Sequence, residues 1–147
     1  MIPSFDPATG NLPPGVHPAT WQEVVARYGL TAHRLALLSG LKAALDALQA
    51  AGCQRVYLDG SFVTAKETPA DFDGCWEVEG VDLARLNPVL MTFANRREAP
   101  KGTFGGEMFP ADWPASAHGT NFLQFFQIDK FTNEFKGILA IDLEYFP

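Results

Sequence analysis

The chain has 147 residues and a formal net charge of -6 at pH 7, and 47% of its residues are hydrophobic. This size and composition indicate one folded globular domain, 1–147, with a sizeable core. The negative charge argues against non-specific binding to nucleic acids, which needs a basic surface, but a small nucleotide stays possible because a metal ion can screen its phosphates from carboxylates.

The N-terminus has no basic segment followed by an apolar run, and no apolar run reaches the length of a membrane span. We therefore expect a cytoplasmic protein without membrane contacts. Cys53 and Cys75 are too few for a disulfide framework. We expect two reduced, partly buried thiols.

Residues 1–19 contain five prolines and two glycines, which excludes a helix and a central strand. We predict a Pro-rich extended arm that lies over the domain. Phe5, Leu12 and Val16 are the apolar side chains expected to anchor it.

Two helices are predicted next. Thr20 and Glu23 have the spacing of a capping box, and the short helix that they begin should stop near Gly29. Thr31 is the predicted N-cap of a second helix, in which leucines recur at helical spacing. This helix should end near Gly52.

Residues 54–60 are predicted to form a strand with Val56 and Leu58 on one face. The short segment 61–67 is predicted as one helical turn capped by Ser61.

A second strand is predicted over residues 71–80. Because side chains alternate along a strand, Asp71 and Asp73 should point to the same face. Gly74 is interpreted as a bulge in this strand.

Residues 82–97 have a helical pattern, and the Gly- and Pro-rich segment 98–119 should be irregular except for a short strand at 106–109. Two more strands are predicted, joined by a hairpin-sized connection: 121–129 and 135–146, with the connection at 130–134. The order of elements predicts an α/β (α+β) fold, a mixed sheet with helices packed mainly on one side.

The two alternating aspartates need a reason, because like charges on one face repel. Solvent exposure is one solution, and a divalent cation that takes carboxylate and phosphate oxygens is another. Gly60 and Ser61 suit a phosphate, since glycine lets the backbone come close and the amides that begin a helical turn can donate to anions.

The motif "VYLDGS", nine residues, and then "DFD" resembles the nucleotidyltransferase superfamily, which has the DNA polymerase β-like catalytic fold. The whole chain also resembles an uncharacterised bacterial family of nucleotidyltransferase-like proteins, through segments such as "LDGSFVTAKETPADFDGCW" and "GGEMFPADW". The resemblance implies a minimal nucleotidyltransferase-like fold.

The resemblance also implies roles for the matched positions. Gly60, Ser61 and the amide of Phe62 would contact the phosphates of a nucleoside triphosphate. Asp71 and Asp73 would be catalytic and would hold Mg²⁺, with the triphosphate as substrate.

The pattern does not fix the third carboxylate. Glu107 follows the predicted helix after the DFD strand, where the family usually places this residue. Asp142 is the rival, and Asp129 is a third candidate at the predicted hairpin turn.

Two further charged residues need an interpretation, and the first departs from the family pattern. Asp59 stands before Gly60, where the family usually has an apolar residue. Lys136 is interpreted as a solvated lysine at a sheet edge, with a contact to phosphate as the alternative.

Two functions follow from the resemblance. The first is an Mg²⁺-dependent nucleotidyltransferase that moves a nucleotidyl group from a nucleoside triphosphate to an unknown acceptor. Small stand-alone members often work as toxins or antitoxins, so a protein partner or a homodimer is expected. The alternative is a catalytically inactive nucleotidyltransferase-like binding or interaction module.

Overall fold

A computed structural model of the chain describes residues 1–86, 105–115 and 119–146. Within these ranges one mixed sheet combines with three α-helices and two 3₁₀ turns, so the predicted α+β class is confirmed. The strands are β1 (Gly15–Ala19), β2 (Arg55–Asp59), β3 (Phe72–Trp76), β4 (Gly106–Pro110) and β5 (Gly137–Asp142). The helices are α1 (Trp21–Tyr28), α2 (Ala32–Ala50) and α3 (Phe122–Phe125), and the 3₁₀ turns are Ser61–Val63 and Leu143–Tyr145.

The five strands have the spatial order β1-β5-β2-β3-β4. The two outer pairs, β1 with β5 and β3 with β4, are parallel. The two inner pairs, β2 with β5 and β2 with β3, are antiparallel. The inner pair of β2 and β5 therefore joins strands that are far apart in sequence, whereas β2 and β3 are consecutive.

Successive residues of each strand contribute to opposite faces of the sheet. The first, which we call the helical face, includes Val56, Leu58 and Phe72, and these side chains join a large apolar core with α1 and α2. The second, which we call the charged face, carries Tyr57 and Cys75 in a smaller apolar cluster that packs against α3 and the residue after it. The two long helices therefore share one face, whereas the single turn of α3 lies on the other.

The predicted helix ends are confirmed. The Thr20 hydroxyl accepts from the Glu23 amide while the Glu23 carboxylate accepts from the Thr20 amide, and α1 ends at Gly29. The Thr31 side chain accepts from the Arg34 amide and begins α2. These caps satisfy backbone donors that have no partner inside the helix.

The N-terminal segment lies against the core, and its last five residues form the edge strand β1. Ile2 and Leu12 are buried, and Phe5 packs against the core. Val16 was expected to be an anchor, but its side chain is exposed on the edge strand.

The predicted strand over 121–129 is wrong, because residues 122–125 form α3. Asn121 accepts from the Gln124 amide and Gln124 accepts from the Asn121 amide, which makes a second capping box. The phenylalanines of this segment favour a strand, but the capping box of Asn121 and Gln124 stabilises a helical turn instead. The predicted hairpin-sized connection at 130–134 is present, because Ile128 and Phe135 form an antiparallel bridge on either side of it. It does not join two long strands, however, since β5 pairs with β1 and β2.

Two smaller predictions are also wrong. Gly60, not Ser61, is the capping residue of the first 3₁₀ turn, and no side chain caps it. Gly74 lies in regular register between Leu58 and Met108 and forms no bulge. Its Cβ would lie 2.9 Å from the Met108 sulfur, so tight packing between strands explains this glycine.

A helix is predicted for residues 82–97. Its described part, residues 82–86, forms turns and no helix, and residues 87–97 lie outside the described part of the chain. The short strand predicted at 106–109 is confirmed as β4. Among the described helices, none has both the length and the apolar character that a membrane span requires.

Candidate metal centre

Three carboxylates lie side by side on the charged face, at one end of β2, β3 and β4. Asp59 on β2 is the register partner of Asp73 on β3, and Asp73 is the register partner of Glu107 on β4. Side chains directly opposite one another on neighbouring strands share a face and lie close together. The strand pairing therefore concentrates negative charge at one end of three adjacent strands.

Asp71 joins this group from the residue just before β3. Carboxylate oxygens of Asp71, Asp73 and Glu107 all lie within 4.8 Å of one another, and we call these three residues the acidic triad. Glu107 is only 4% exposed, whereas both aspartates are half-buried. The structure thus brings together the three residues expected to be catalytic, and their roles stay predictions.

The turn after β2 comes directly against the triad. Gly60 has φ +82°, a conformation that favours glycine, and a Cβ at this position would lie 2.6 Å from Asp73 Oδ2. The predicted proximity of the Gly60–Ser61 turn to Asp73 is therefore observed. Of the residues predicted to contact phosphate, Phe62 is fully buried in the apolar core, whereas Gly60 and Ser61 are half-buried.

The two rivals for the third carboxylate lie elsewhere. Asp142 pairs with Arg55, at the opposite end of β2 from Asp59, and its side chain accepts from the Glu144 amide. Asp129 accepts hydrogen bonds from the amide of Phe131 and from the side chain of Asn11. Both bonds lower the pKa of Asp129, and the bond from Phe131 has the larger effect. Among the described residues, Glu107 is the carboxylate that completes the triad.

Asp59 lies outside the triad and forms an ion pair with Lys136. Lys136 Nζ lies 3.2 Å from Asp59 Oδ1, and the side chains are only 18% and 6% exposed. Burial raises the pKa of Asp59, and the charge of Lys136 opposes that rise. The interpretation of Lys136 as a solvated edge lysine is therefore wrong.

This ion pair also accounts for the aspartate that stands where the family pattern has an apolar residue. Nothing local in the sequence indicates that β2 lies next to β5, so the pairing of Asp59 with Lys136 could not be predicted from either residue alone. Alternation along the strand could have placed Lys136 on the charged face, because it lies two and four residues before Ile138 and Ala140, whose side chains belong to the cluster on that face.

Residues 3–142 match the model of DUF6932, described as a family of unknown function. The chain belongs to this family. The matched range covers the triad and the Asp59–Lys136 pair. No curated protein and no solved structure is significantly similar to the chain. The resemblance to nucleotidyltransferases therefore stays a prediction for this DUF6932 member.

The triad in this DUF6932 chain has the chemistry of a site for a hard divalent cation. Two oxygens that each lie about 2.1 Å from one Mg²⁺ can be at most about 4.2 Å apart, and for Ca²⁺ the limit is about 5 Å. The triad oxygens lie within 4.8 Å of one another, so small side-chain rotations would bring them into the range of one hard divalent cation. The three residues therefore fit a cation that would also neutralise their mutual repulsion.

Proposed function

We propose that this DUF6932 protein is a cytoplasmic, Mg²⁺-dependent nucleotidyltransferase that moves a nucleotidyl group from a nucleoside triphosphate to an acceptor hydroxyl. One observation carries the proposal: three carboxylates whose oxygens lie within 4.8 Å of one another stand directly beside the Gly60–Ser61 turn. A carboxylate site next to accessible backbone amides is what a metal-bound triphosphate requires.

In this mechanism Asp71 and Asp73 would hold the cation, and the amide of the half-buried Ser61 would donate to a phosphate oxygen. The bound Mg²⁺ would neutralise charge on the triphosphate and on the departing pyrophosphate. The acceptor oxygen forms a bond to the α-phosphorus, while the bond from that phosphorus to the bridging oxygen breaks. Pyrophosphate leaves with the electron pair, and Glu107 takes the proton of the acceptor hydroxyl.

Glu107 is proposed as the base because it is the buried third carboxylate of the triad, next to the two aspartates that would hold the cation. A base must reach the proton that it removes, and this requirement comes before its pKa. The position of Glu107 beside Asp73 in the strand register meets that requirement for an acceptor bound next to the cation.

We also propose that the protein works with a partner, either a second copy or another protein such as the other half of a toxin–antitoxin pair. Two phenyl rings support this part of the proposal, since Phe131 is 86% exposed and Phe135 is 74% exposed. Large exposed aromatic side chains are enriched in protein interfaces.

A titration with ATP and with GTP, in the presence and absence of Mg²⁺, tests the proposed function. Binding should require Mg²⁺ and should be lost in the double variant Asp71→Asn with Asp73→Asn. Asparagine nearly keeps the shape of aspartate, so the circular dichroism spectrum should be unchanged.

The matched control removes the same two charges outside the triad. Asp46 and Asp142 are both exposed, and the asparagine double variant at these positions should bind Mg²⁺ and nucleotide like the wild type. Equal nucleotide affinity in the two double variants would refute the metal site.

A further inference from the structure

A pocket of about 330 Å³ lies between the N-terminal arm, α1, the start of α2 and the loop after the first 3₁₀ turn. This volume falls within the range of small-molecule sites, roughly 300–1,000 Å³. The residues that define its chemistry are Phe5, Arg27, Tyr28, Arg34, Lys66 and Glu67. None of them belongs to the triad, so an inference about this pocket is independent of the proposed transferase activity.

Arg34 is the most unusual of these residues because it is a charged side chain that is only 6% exposed. Its guanidinium donates to the carbonyl oxygens of Phe62, Thr64 and Lys66. It also lies 5.1 Å from the centre of the Phe62 ring. These contacts satisfy hydrogen bonds, but they supply no negative charge.

Arg27 has the same character. It donates to the carbonyl oxygens of Ile2 and Pro3, and its guanidinium carbon lies 4.3 Å from the centre of the Phe5 ring. Within the described part of the chain, neither Arg27 nor Arg34 forms an ion pair with a carboxylate. Buried and half-buried charges are normally paired with a counter-charge.

The pocket therefore has an excess of positive charge in a chain of net charge -6. Arg27, Arg34 and Lys66 line it, and Glu67 is the one carboxylate among its lining residues. The half-buried ring of Phe5 provides its aromatic wall, and its centre lies 6.2 Å from that of the buried Tyr28 ring. Guanidinium groups bind carboxylates through charge-assisted hydrogen bonds, and aromatic walls bind flat apolar groups.

We propose that this pocket binds a small organic anion, a carboxylate attached to a flat apolar body. The carboxylate pairs with the guanidinium groups, and the apolar body lies against the aromatic wall. Such a ligand would contact the loop of residues 64–67, which follows the Gly60–Ser61 turn along the chain.

Benzoate is a suitable probe, and the measurement is an NMR titration that follows the arginine Nε–H signals and the amides of residues 64–67. Benzoate should give saturable shifts in this group of signals. Benzamide has the same shape without the charge, and acetate has the charge without the ring. Both should bind about tenfold more weakly or less, the loss expected when one strong contact is removed.

Variants locate the site. Arg34→Met leaves three carbonyl oxygens without a donor and can fail to fold, so Lys66→Met and Arg27→Gln are the primary variants. Each should weaken benzoate about fivefold to tenfold. Lys42→Met is the matched control. It removes the same charge outside the pocket, because Lys42 pairs with Asp46 on the exposed side of α2.

Three results would overturn the proposal. The first is a titration that does not saturate at roughly 10 mM benzoate, because such an affinity is weak even for a ligand of this size. The others are equal affinity for benzoate and either benzamide or acetate, and a loss of benzoate affinity in Lys42→Met equal to that in the pocket variants.

Discussion

The two faces of the sheet are built from alternate residues of the same strands, yet they differ in almost every property. On the helical face, Val56, Leu58 and Phe72 are completely buried in one continuous apolar core. On the charged face, Asp59, Asp73 and Glu107 occupy the same stretch of the strands. The comparison teaches that the helical face supplies the stability that lets the charged face hold clustered carboxylates, so substitutions on the two faces should have separable effects.

The largest effect should come from Glu107→Gln on the charged face. Loss of the proposed base should lower nucleotidyl transfer by about 10²-fold or more, with nucleotide affinity nearly unchanged, because the contact is made mainly in the transition state. The measurement is transfer of label from an α-³²P nucleoside triphosphate into an extract that supplies the acceptor. Glu144→Gln, at an exposed glutamate beyond β5, is the control.

A wild-type protein that binds Mg²⁺ and nucleotide but transfers no label would point instead to the inactive binding module. If Glu107→Gln lost stability and binding together, the glutamate would be structural, and the separation between the two faces would fail at that position.

The second effect is on stability alone. Leu45→Ala on the helical face should lower the free energy of unfolding by about 2–5 kcal/mol, since Leu45 is fully buried and its truncation leaves a cavity. Leu35→Ala on the same helix, where the leucine is 49% exposed, should cost less than about 1 kcal/mol. Urea unfolding measures both, and similar losses would contradict the assignment of the core to this face.

Third, Lys136→Met should destabilise the protein by about 3 kcal/mol at pH 8, because it leaves the buried Asp59 carboxylate without its counter-charge. The pKa of Asp59 is already raised in the folded state, and loss of Lys136 should raise it further. A carboxyl with a raised folded pKa binds its proton more tightly when folded, so stability rises as the pH falls from that pKa toward the unfolded value.

The variant should therefore recover part of its stability at pH 5, as measured by urea unfolding at both pH values. Adding Asp59→Asn to Lys136→Met should recover stability at pH 8 as well. A loss that is the same at pH 5 and pH 8 would mean that packing of the lysine stem, and not its charge, is responsible.

The smallest effect separates backbone strain from contact with the triad. Gly60 and Gly119 both have positive φ, but a Cβ at Gly60 would meet Asp73, and a Cβ at Gly119 would meet no atom of the described residues within 4 Å. Gly119→Ala should cost about 1 kcal/mol from strain alone, and Gly60→Ala about 1 kcal/mol more. Only Gly60→Ala should also weaken Mg²⁺ binding, and equal effects in both assays would contradict the close approach of the turn to Asp73.

Local signals in the sequence predicted the parts of this molecule that local physics decides. Caps at Thr20 and Thr31 set the helix starts, and alternation placed Asp71 and Asp73 together. The position of Glu107 could be proposed only through the family resemblance, because β3 and β4 pair across a long connection. Long-range pairing of β2 with β5 is also why the link between Asp59 and Lys136 was missed.

The place of β5 in the sheet has a consequence for how the chain folds during synthesis. β5 is the last of the described strands to leave the ribosome, yet it lies between β1 and β2 and is the only neighbour of β1 in the sheet. The pairing of Gly15 with Gly137 can therefore form only after β5 has been synthesised, and folding that depends on such non-local pairing is slow. Until then the apolar edge of β2 is open to other chains, so we expect the nascent protein to depend on chaperones and shortened chains that lack β5 to aggregate.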